Sequence, residues 1–236
     1  MTTGTISAKN LKQALQSIHI PPVYYFLVIF TVVGVTLDQV FASGNILSNP
    51  VIMTNILVRS VALGIVAVGQ SFVMIGAAID LSVAFTISLT AVLASQIMQG
   101  DPARVPMAIL IVLGIGIVIG VTNGEIVTKQ KVNPYIATQG TGLINKGILN
   151  GTFANYKGSV PRSFQAFGYD SFGPIPYSIL ALVIVVIIGW FILSRTKFGA
   201  HLYGVGGSRE IGRLSGLRTA RIVTGAFIIS SLTAVL

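Results

Sequence analysis

The chain has 236 residues, of which 53% are hydrophobic and 9% are charged, and its formal net charge is +9. This composition excludes a soluble domain and indicates a polytopic membrane protein. The cations do not indicate nucleic acid binding, because they cluster between apolar runs, where they set the orientation of a membrane protein. The sequence contains no Cys and only two distant His, so we expect no disulfide, no metal site and no cofactor.

The N-terminal segment, residues 1–22, is polar and lacks the short apolar core and cleavage site of a secretory signal. We expect this segment to lie in the cytoplasm and residues 23–236 to form one transmembrane domain. The first predicted span runs from about Val23 to Phe41 and is followed by a polar turn that ends at Pro50.

Residues 51–99 form an apolar run about twice as long as one span of roughly 20 residues requires. We therefore predict two spans with a break at Gly76-Ala-Ala-Ile-Asp-Leu-Ser-Val83, which contains the only acidic residue of this run, Asp80. Two interpretations of Asp80 are open. It caps the helix that begins after it, accepting from N–H groups near Val83, or it faces a polar translocation path.

The next two predicted helices differ in polarity. Residues 107–127 form a fourth apolar span, whereas residues 134–153 contain several amide and hydroxyl side chains and a Lys. The polar helix is either a span buried within the bundle or a re-entrant segment, because polar groups at membrane depth need protein or water partners.

The remaining sequence predicts a polar loop at 154–173, a sixth span at 175–193 and a short apolar segment at 222–236. The predicted fold is therefore an all-α transmembrane bundle of about six complete spans and a partial seventh. We expect the sequence to end within a helix. With the N-terminus in the cytoplasm, the predicted inner segments carry ten Lys or Arg residues and the outer loops carry three, which supports this orientation.

Residues 195–221 form the most basic segment and contain the charged loop 204–217, Gly-Val-Gly-Gly-Ser-Arg-Glu-Ile-Gly-Arg-Leu-Ser-Gly-Leu. Within it the sequence predicts a short helix with Ser208 as N-cap and Gly216 as C-terminal stop. Ile211 and Leu214 are three residues apart and share one face of this helix. Such a helix suits either a solvated cytoplasmic loop or a groove on a partner protein.

Three blocks of the sequence resemble the membrane permease subunit of bacterial ATP-binding-cassette importers for monosaccharides such as ribose, xylose, arabinose and galactose. The blocks are residues 76–83, residues 123–141 with Val-Asn-Pro-Tyr-Ile-Ala-Thr at 132–138, and residues 196–217. The family usually has Gly-Gly where this chain has Ala77-Ala78. Family members also continue for several spans beyond the last residue here.

This resemblance implies a multi-pass protein of the bacterial inner membrane whose partners are a separate ATPase subunit, a second permease subunit and an extracytoplasmic sugar-binding protein. It also implies that one cytoplasmic segment docks onto the ATPase. In this chain the matching residues are Gly207, Ser208, Arg209, Glu210, Ile211, Arg213, Leu214 and Gly216.

The leading hypothesis is a passive path for a small polyhydroxylated solute, with ATP hydrolysed on another subunit, since no phosphate-binding Gly-x-x-x-x-Gly-Lys-Ser/Thr motif occurs. Neutral amides suit a solute rich in hydroxyl groups, although each could instead bond between helices. The candidate path residues are Gln70, Asp80, Asn123, Asn133, Gln139 and Asn145. The alternatives are a permease for nucleosides or branched-chain amino acids, a non-functional fragment, and an intramembrane enzyme, which the scattered acids and His disfavour.

Overall fold

The computed structural model describes residues 21–41, 49–153, 158–173 and 175–236. Nearly all of the predicted cytoplasmic segment 1–22 therefore lies outside the described residues. The chain divides into two compact units, Met1–Ile56 and Leu57–Leu236. In the first unit, helix α1 (Pro22–Phe41) begins at a proline, which suits the first helical position. The helix is apolar over most of its length, as expected of a lipid-facing span, with Asp38 and Gln39 near its end.

Nine further helices follow among the described residues. They are α2 (Pro50–Ile75), α3 (Val83–Met98), α4 (Val105–Thr128), α5 (Pro134–Thr152), α6 (Arg162–Tyr169), α7 (Tyr177–Arg195), α8 (Lys197–Gly207), α9 (Arg209–Leu214) and α10 (Thr219–Val235). A 3-10 turn at Pro102–Arg104 precedes α4. Strands β1 (Ser171–Phe172) and β2 (Ile175–Pro176) form a two-residue antiparallel pair before α7.

The predicted helical membrane bundle is confirmed. Within the described residues, helices α1, α2, α4 with its preceding turn, and α7 are long and apolar enough to cross a membrane. Helices α3 and α10 are apolar but shorter, and α5 is too polar to qualify by hydropathy. The number of crossings and the side of the N-terminus therefore stay predictions.

Two predicted loops are wrong in part. The polar loop at 154–173 contains helix α6 and strand β1, and the segment 195–221 contains helix α8 in addition to the short helix that the sequence predicts there. The glycines at 204–207, which suggested a loop, form the last turn of α8. Gly206 packs so closely against α2 that a side chain there would overlap the carbonyl oxygen of Ile75, so tertiary contact explains a glycine within this helix.

Helices α4 and α10 pack backbone to backbone. Gly116, Gly120 and Gly124 recur every four residues on α4 and face α10. A Cβ at Gly120 would lie 2.6 Å from the Cα of Ile228, and a Cβ at Gly124 would lie 2.6 Å from the Cα of Thr224. Close approach of this kind is typical of helix pairs in membranes, where small residues let backbones meet.

The hydrophobic core shows which helix ends lie together. Its buried residues come from the end of α2, the end of α4, the start of α5, helix α8 and the first half of α10: Phe72, Val73, Val127, Ala137, Leu202, Val205, Ile222, Val223, Ala226 and Phe227. We call this the basic end of the second unit, because the connections after α4 and after α7, which carry Lys and Arg residues, begin next to these helix ends. Elsewhere, the N–H of Gly100 after α3 donates to the carbonyl of Ser159 before α6, at 3.0 Å.

Candidate functional site

The break, residues 76–82, separates α2 from α3. Helix α2 ends in a Schellman motif: the N–H of Ala78 donates to the carbonyl of Val73 at 3.1 Å, and the N–H of Ala77 to that of Met74 at 3.0 Å. Ala77 holds the left-handed position of this motif, with φ of +54°. Glycine is usual there, since a Cβ makes the left-handed conformation about 1–2 kcal/mol less favourable.

Asp80 lies at the centre of a buried polar network. Its side chain is 3% exposed. The carboxylate atom Oδ1 accepts from the N–H of Ser82 at 3.0 Å and from its hydroxyl at 2.6 Å, while Oδ2 accepts from the hydroxyl of Ser230 on α10 at 3.0 Å. The amide of Asn123 on α4 donates to Ser82 Oγ at 2.9 Å and lies 3.5 Å from Asp80 Oδ1. Asp80 therefore links the break to two helices.

Ser82, and not Asp80, occupies the N-cap position of α3, and its own side chain makes no capping hydrogen bond. Asp80 accepts from the N–H of Ser82 rather than from residues within the helix. The capping interpretation of Asp80 therefore holds only for the turn that leads into α3. Its remaining hydrogen bonds reach other helices.

Helix α5 directs its polar face at the break and at α3. The hydroxyl of Thr138 accepts from the N–H of Leu81 at 3.0 Å, and the amide of Asn145 donates to Thr86 on α3 at 3.2 Å. Thr138, Thr141 and Asn145 are all buried and share this face. The polarity of residues 134–153 therefore serves contacts inside the protein, while a full crossing by α5 stays a prediction.

The six candidate path residues fall into two groups. Asp80, Asn123 and Asn145 hydrogen bond between elements of the buried network. Asn133 is an exposed N-cap of α5 that accepts from the N–H of Tyr135, and Gln139 and Gln70 are half-buried. The lining of a path by these residues stays a prediction.

Several buried polar atoms have no hydrogen-bond partner among the described residues: Gln70 Oε1, Asn123 Oδ1, Ser178 Oγ and Ser231 Oγ. Two of them, on Gln70 and Asn123, belong to predicted path residues. Across the described ranges, no group of three His, Asp or Glu side chains is placed to hold a metal ion.

Sequence reasoning missed the hydroxyl partners of the network as site residues. Ser82, Thr138 and Ser230 bind Asp80 or the break, yet a hydroxyl in an apolar helix more often bonds to its own backbone. A usable signal was the grouping of hydroxyls at 230–233 within an otherwise apolar segment.

The predicted helix in the basic segment is confirmed as α9. The Ser208 hydroxyl accepts from the N–H of Ile211 at 3.3 Å. Gly216 has φ of +79° and ends α9 in a second Schellman motif. Ile211 is 65% exposed and Leu214 is 77% exposed, so the apolar face of α9 is open.

Helices α8 and α9 contact the break directly. Leu202 and Val205 of α8 are fully buried in the core, and Gly206 abuts the carbonyl of Ile75 at the end of α2. The guanidinium of Arg209 at the start of α9 donates to the carbonyl oxygen of Ala77 at 3.5 Å.

A bundle of apolar helices that buries carboxylate, amide and hydroxyl groups around a broken helix defines a polytopic membrane protein. Residues 52–236 match the model of the family described as branched-chain amino acid transport system / permease component. Because the match covers most of the chain, the chain belongs to this permease family.

Among curated proteins, the chain is similar to the galactose/methyl galactoside import permease proteins of Salmonella typhimurium and Escherichia coli. Each is 30% identical to it, over 91% of this chain and 68% of the first protein, and over 90% of this chain and 67% of the second. The ribose import permease protein of Bacillus subtilis is 31% identical over 76% of this chain and 57% of its own length. No solved structure matches the chain.

Proposed function

We propose that the chain is the permease subunit of an ATP-driven importer for a small sugar in the bacterial inner membrane, and that α9 docks onto a separate ATPase subunit. The observation that carries the proposal is α9 itself, a capped helix with an open apolar face at the basic end. The similarity to galactose and ribose import permeases supports the sugar class.

The structure of α9 suits a docking element. Its two ends are fixed by the Ser208 cap and the Gly216 motif, so little ordering entropy is lost on binding. Ile211 and Leu214 together expose apolar surface that has no cover among the described residues. Glu210 and Arg213 flank this surface with opposite charges, which gives a partner a charge pattern to match.

The distribution of charge supports a cytoplasmic basic end. Eight Lys and Arg residues lie between 129 and 221 in the connections at this end, whereas Arg104 and Arg162 are the cations of the described connections elsewhere. Lys157, which belongs to the predicted outer loops, lies outside the described residues. Under the positive-inside rule the N-terminus is then cytoplasmic, and α1 to α5, α7 and α10 cross in alternation.

The buried polar groups favour a neutral solute. Asp80 is the one charged side chain among the described residues that is buried, and the other buried polar side chains are hydroxyls and amides. An amino acid would need a cation for its carboxylate, and this set offers none. A nucleoside remains the alternative neutral solute, and a second permease subunit and an extracytoplasmic sugar-binding protein complete the proposed importer.

The docking proposal is tested with Leu214→Glu and Phe167→Glu. Both side chains are exposed to a similar degree, 77% and 71%, but Phe167 lies on α6. Burial of a leucine contributes about 1.5–3 kcal/mol, so we expect Leu214→Glu to weaken ATPase binding at least roughly tenfold. Phe167→Glu serves as the control, and both variants should insert into the membrane. The measurement is co-purification of the permease with its cognate ATPase.

Charge reversal provides the second arm of this test. Glu210→Lys or Arg213→Glu should also reduce ATPase association without loss of membrane insertion, because each replaces an attraction with a repulsion. Unchanged co-purification of all three α9 variants would contradict the docking proposal.

A further inference from the structure

We propose that the break receives the movement of the ATPase directly from α8 and α9, and passes it to the Asp80 network. The inference rests on the proposed function, because it takes α9 as the element that the ATPase moves. It adds a specific route: Gly206 acts as a positioning residue on the end of α2, next to the break, and Arg209 on the break itself. Nucleotide-driven motion then reaches the buried polar network without first displacing a whole spanning helix.

The first contact is rigid. At Gly206 the backbone of α8 touches the carbonyl of Ile75, and any side chain at this position would overlap that oxygen. Behind this contact, Leu202 and Val205 are fully buried, and the rings of Phe198 and Phe72 stack with centroids 6.5 Å apart. Because close-packed interiors transmit displacement, movement of α8 must also shift the end of α2.

The second contact falls on a strained residue. Arg209 donates to the carbonyl of Ala77, which is the left-handed residue of the motif that ends α2. A non-glycine residue in this conformation persists only when its surroundings enforce it, and such strain is found at switch regions. The guanidinium is therefore placed to hold or release the backbone conformation of Ala77.

The opposite side of the break leads to the network. Asp80 follows Ala77 by three residues, a reach of at most about 11 Å in extended chain. Residues 78–81 belong to no helix or strand, and the hydroxyl of Thr138 together with the carboxylate of Asp80 ties this stretch to α5 and α10. Because these side-chain bonds join the stretch to α5 and α10, a shift at Ala77 is passed to them.

The route is tested with Gly206→Ala in the assembled importer. Its matched control is Gly204→Ala on the same helix, where the one side chain in the described part of the protein that a Cβ would meet is Leu217, at 3.8 Å. Because the chain has no Cys, Ile79→Cys provides a single thiol in the break, at a position that is 37% exposed. The measurement is the rate of maleimide labelling of this thiol with and without ATP–vanadate trapping, alongside ATPase co-purification.

We expect trapping to change the labelling rate severalfold in the parent and in Gly204→Ala, and to have no effect in Gly206→Ala, while all three retain the ATPase. A trapping-dependent change that persists in Gly206→Ala would overturn the route. Loss of ATPase binding in Leu214→Glu tests the docking proposal separately, so the two failures are distinguishable.

A second variant tests the route even if Gly206→Ala misfolds. Arg209→Gln removes the guanidinium that contacts Ala77 and leaves the backbone contact intact. We expect it to reduce the trapping-dependent change in labelling at least twofold, whereas Arg221→Gln, an exposed cation on α10, should leave it at the parent value. Equal behaviour of the two arginine variants would overturn the role of Arg209.

Discussion

Asp80 is stabilised by hydroxyl donors that come from distant parts of the sequence. Ser82 supplies two donors to one carboxylate oxygen, and Ser230, 150 residues away, supplies one to the other. Hydrogen bonds to a charged acceptor contribute about 1.5–3 kcal/mol each, and loss of the acceptor leaves buried donors unpaired. The network is therefore a main source of the order of the break.

Replacement of Asp80 should separate its structural role from its proposed role in transport. Asp80→Ala removes every acceptor, so we expect its thermal unfolding midpoint in detergent to fall by several degrees. Asp80→Asn keeps an oxygen for Ser82 and lets the Ser230 hydroxyl accept, so its midpoint should fall less.

Uptake by a transport-competent importer that carries Asp80→Asn should nevertheless be impaired, because the weaker amide bonds alter the geometry of the break. Normal uptake by this variant would restrict Asp80 to a replaceable structural role. Insertion of the variant into the membrane, measured in parallel, is the control.

Prediction from the sequence succeeded for features that depend only on neighbouring residues. The cap at Ser208 and the stop at Gly216 depend on neighbouring backbone, and both are present. The partners of Asp80 depend on contacts between α3, α4 and α10, which a single sequence does not encode in any local pattern. The same is true of the contact between Arg209 and Ala77, 132 residues apart.

Helices α4 and α10 are closely packed against each other in the second unit. Their backbones meet along the Gly116, Gly120 and Gly124 face, and α10 buries Ala226, Phe227 and its central serines there and against other helices. Without a hydrophobic driving force in lipid, such pairs depend on close packing. Close packing along the glycine face therefore stabilises this pair.

A methyl group on this face should destabilise the pair. In Gly120→Ala the new Cβ would lie 2.6 Å from the Cα of Ile228, so the two backbones must separate. Overpacking of this kind is unfavourable by about 1–3 kcal/mol. Gly114→Ala on the same helix is the matched control, because its new Cβ would meet no described atom within 4 Å apart from the backbone of its own helix. We expect a lower unfolding midpoint for Gly120→Ala alone, and equal midpoints would contradict the importance of this packing.

At the scale of elements, hydropathy located α1, α2, α4 and α7 to within a few residues, because long apolar runs leave few alternatives. It failed for α6 and α8. Helix α6 is too short for a periodic signal, and α8 contains four glycines, a composition that predicts a loop. Gly206 is explained by contact with α2, which local sequence does not reveal.

In the second unit, the connections that carry most of the Lys and Arg residues lie at one end. The core there joins α2, α4, α5, α8 and α10, so α9 and the break are neighbours at this end. The sequence predicted the charge asymmetry from its cations. The placement of the break beside α8 required the folded chain.

The proposed orientation is tested with single thiols in the Cys-free chain. Gly207→Cys at the end of α8 and Gly168→Cys on α6 both replace glycines in open space. We expect an impermeant maleimide to label Gly168→Cys in intact spheroplasts, and to label Gly207→Cys only after permeabilisation. The reverse pattern would place α9 on the outer face and remove it from the reach of an ATPase.

The glycine face between α4 and α10 has a consequence for gating. Two helices in backbone contact have little room to slide or rotate against each other, so we expect this pair to move as one body during a transport cycle. We then expect an aperture for a solute to open where helices meet through side chains, such as the hydroxyl and amide contacts of α5 with the break and with α3.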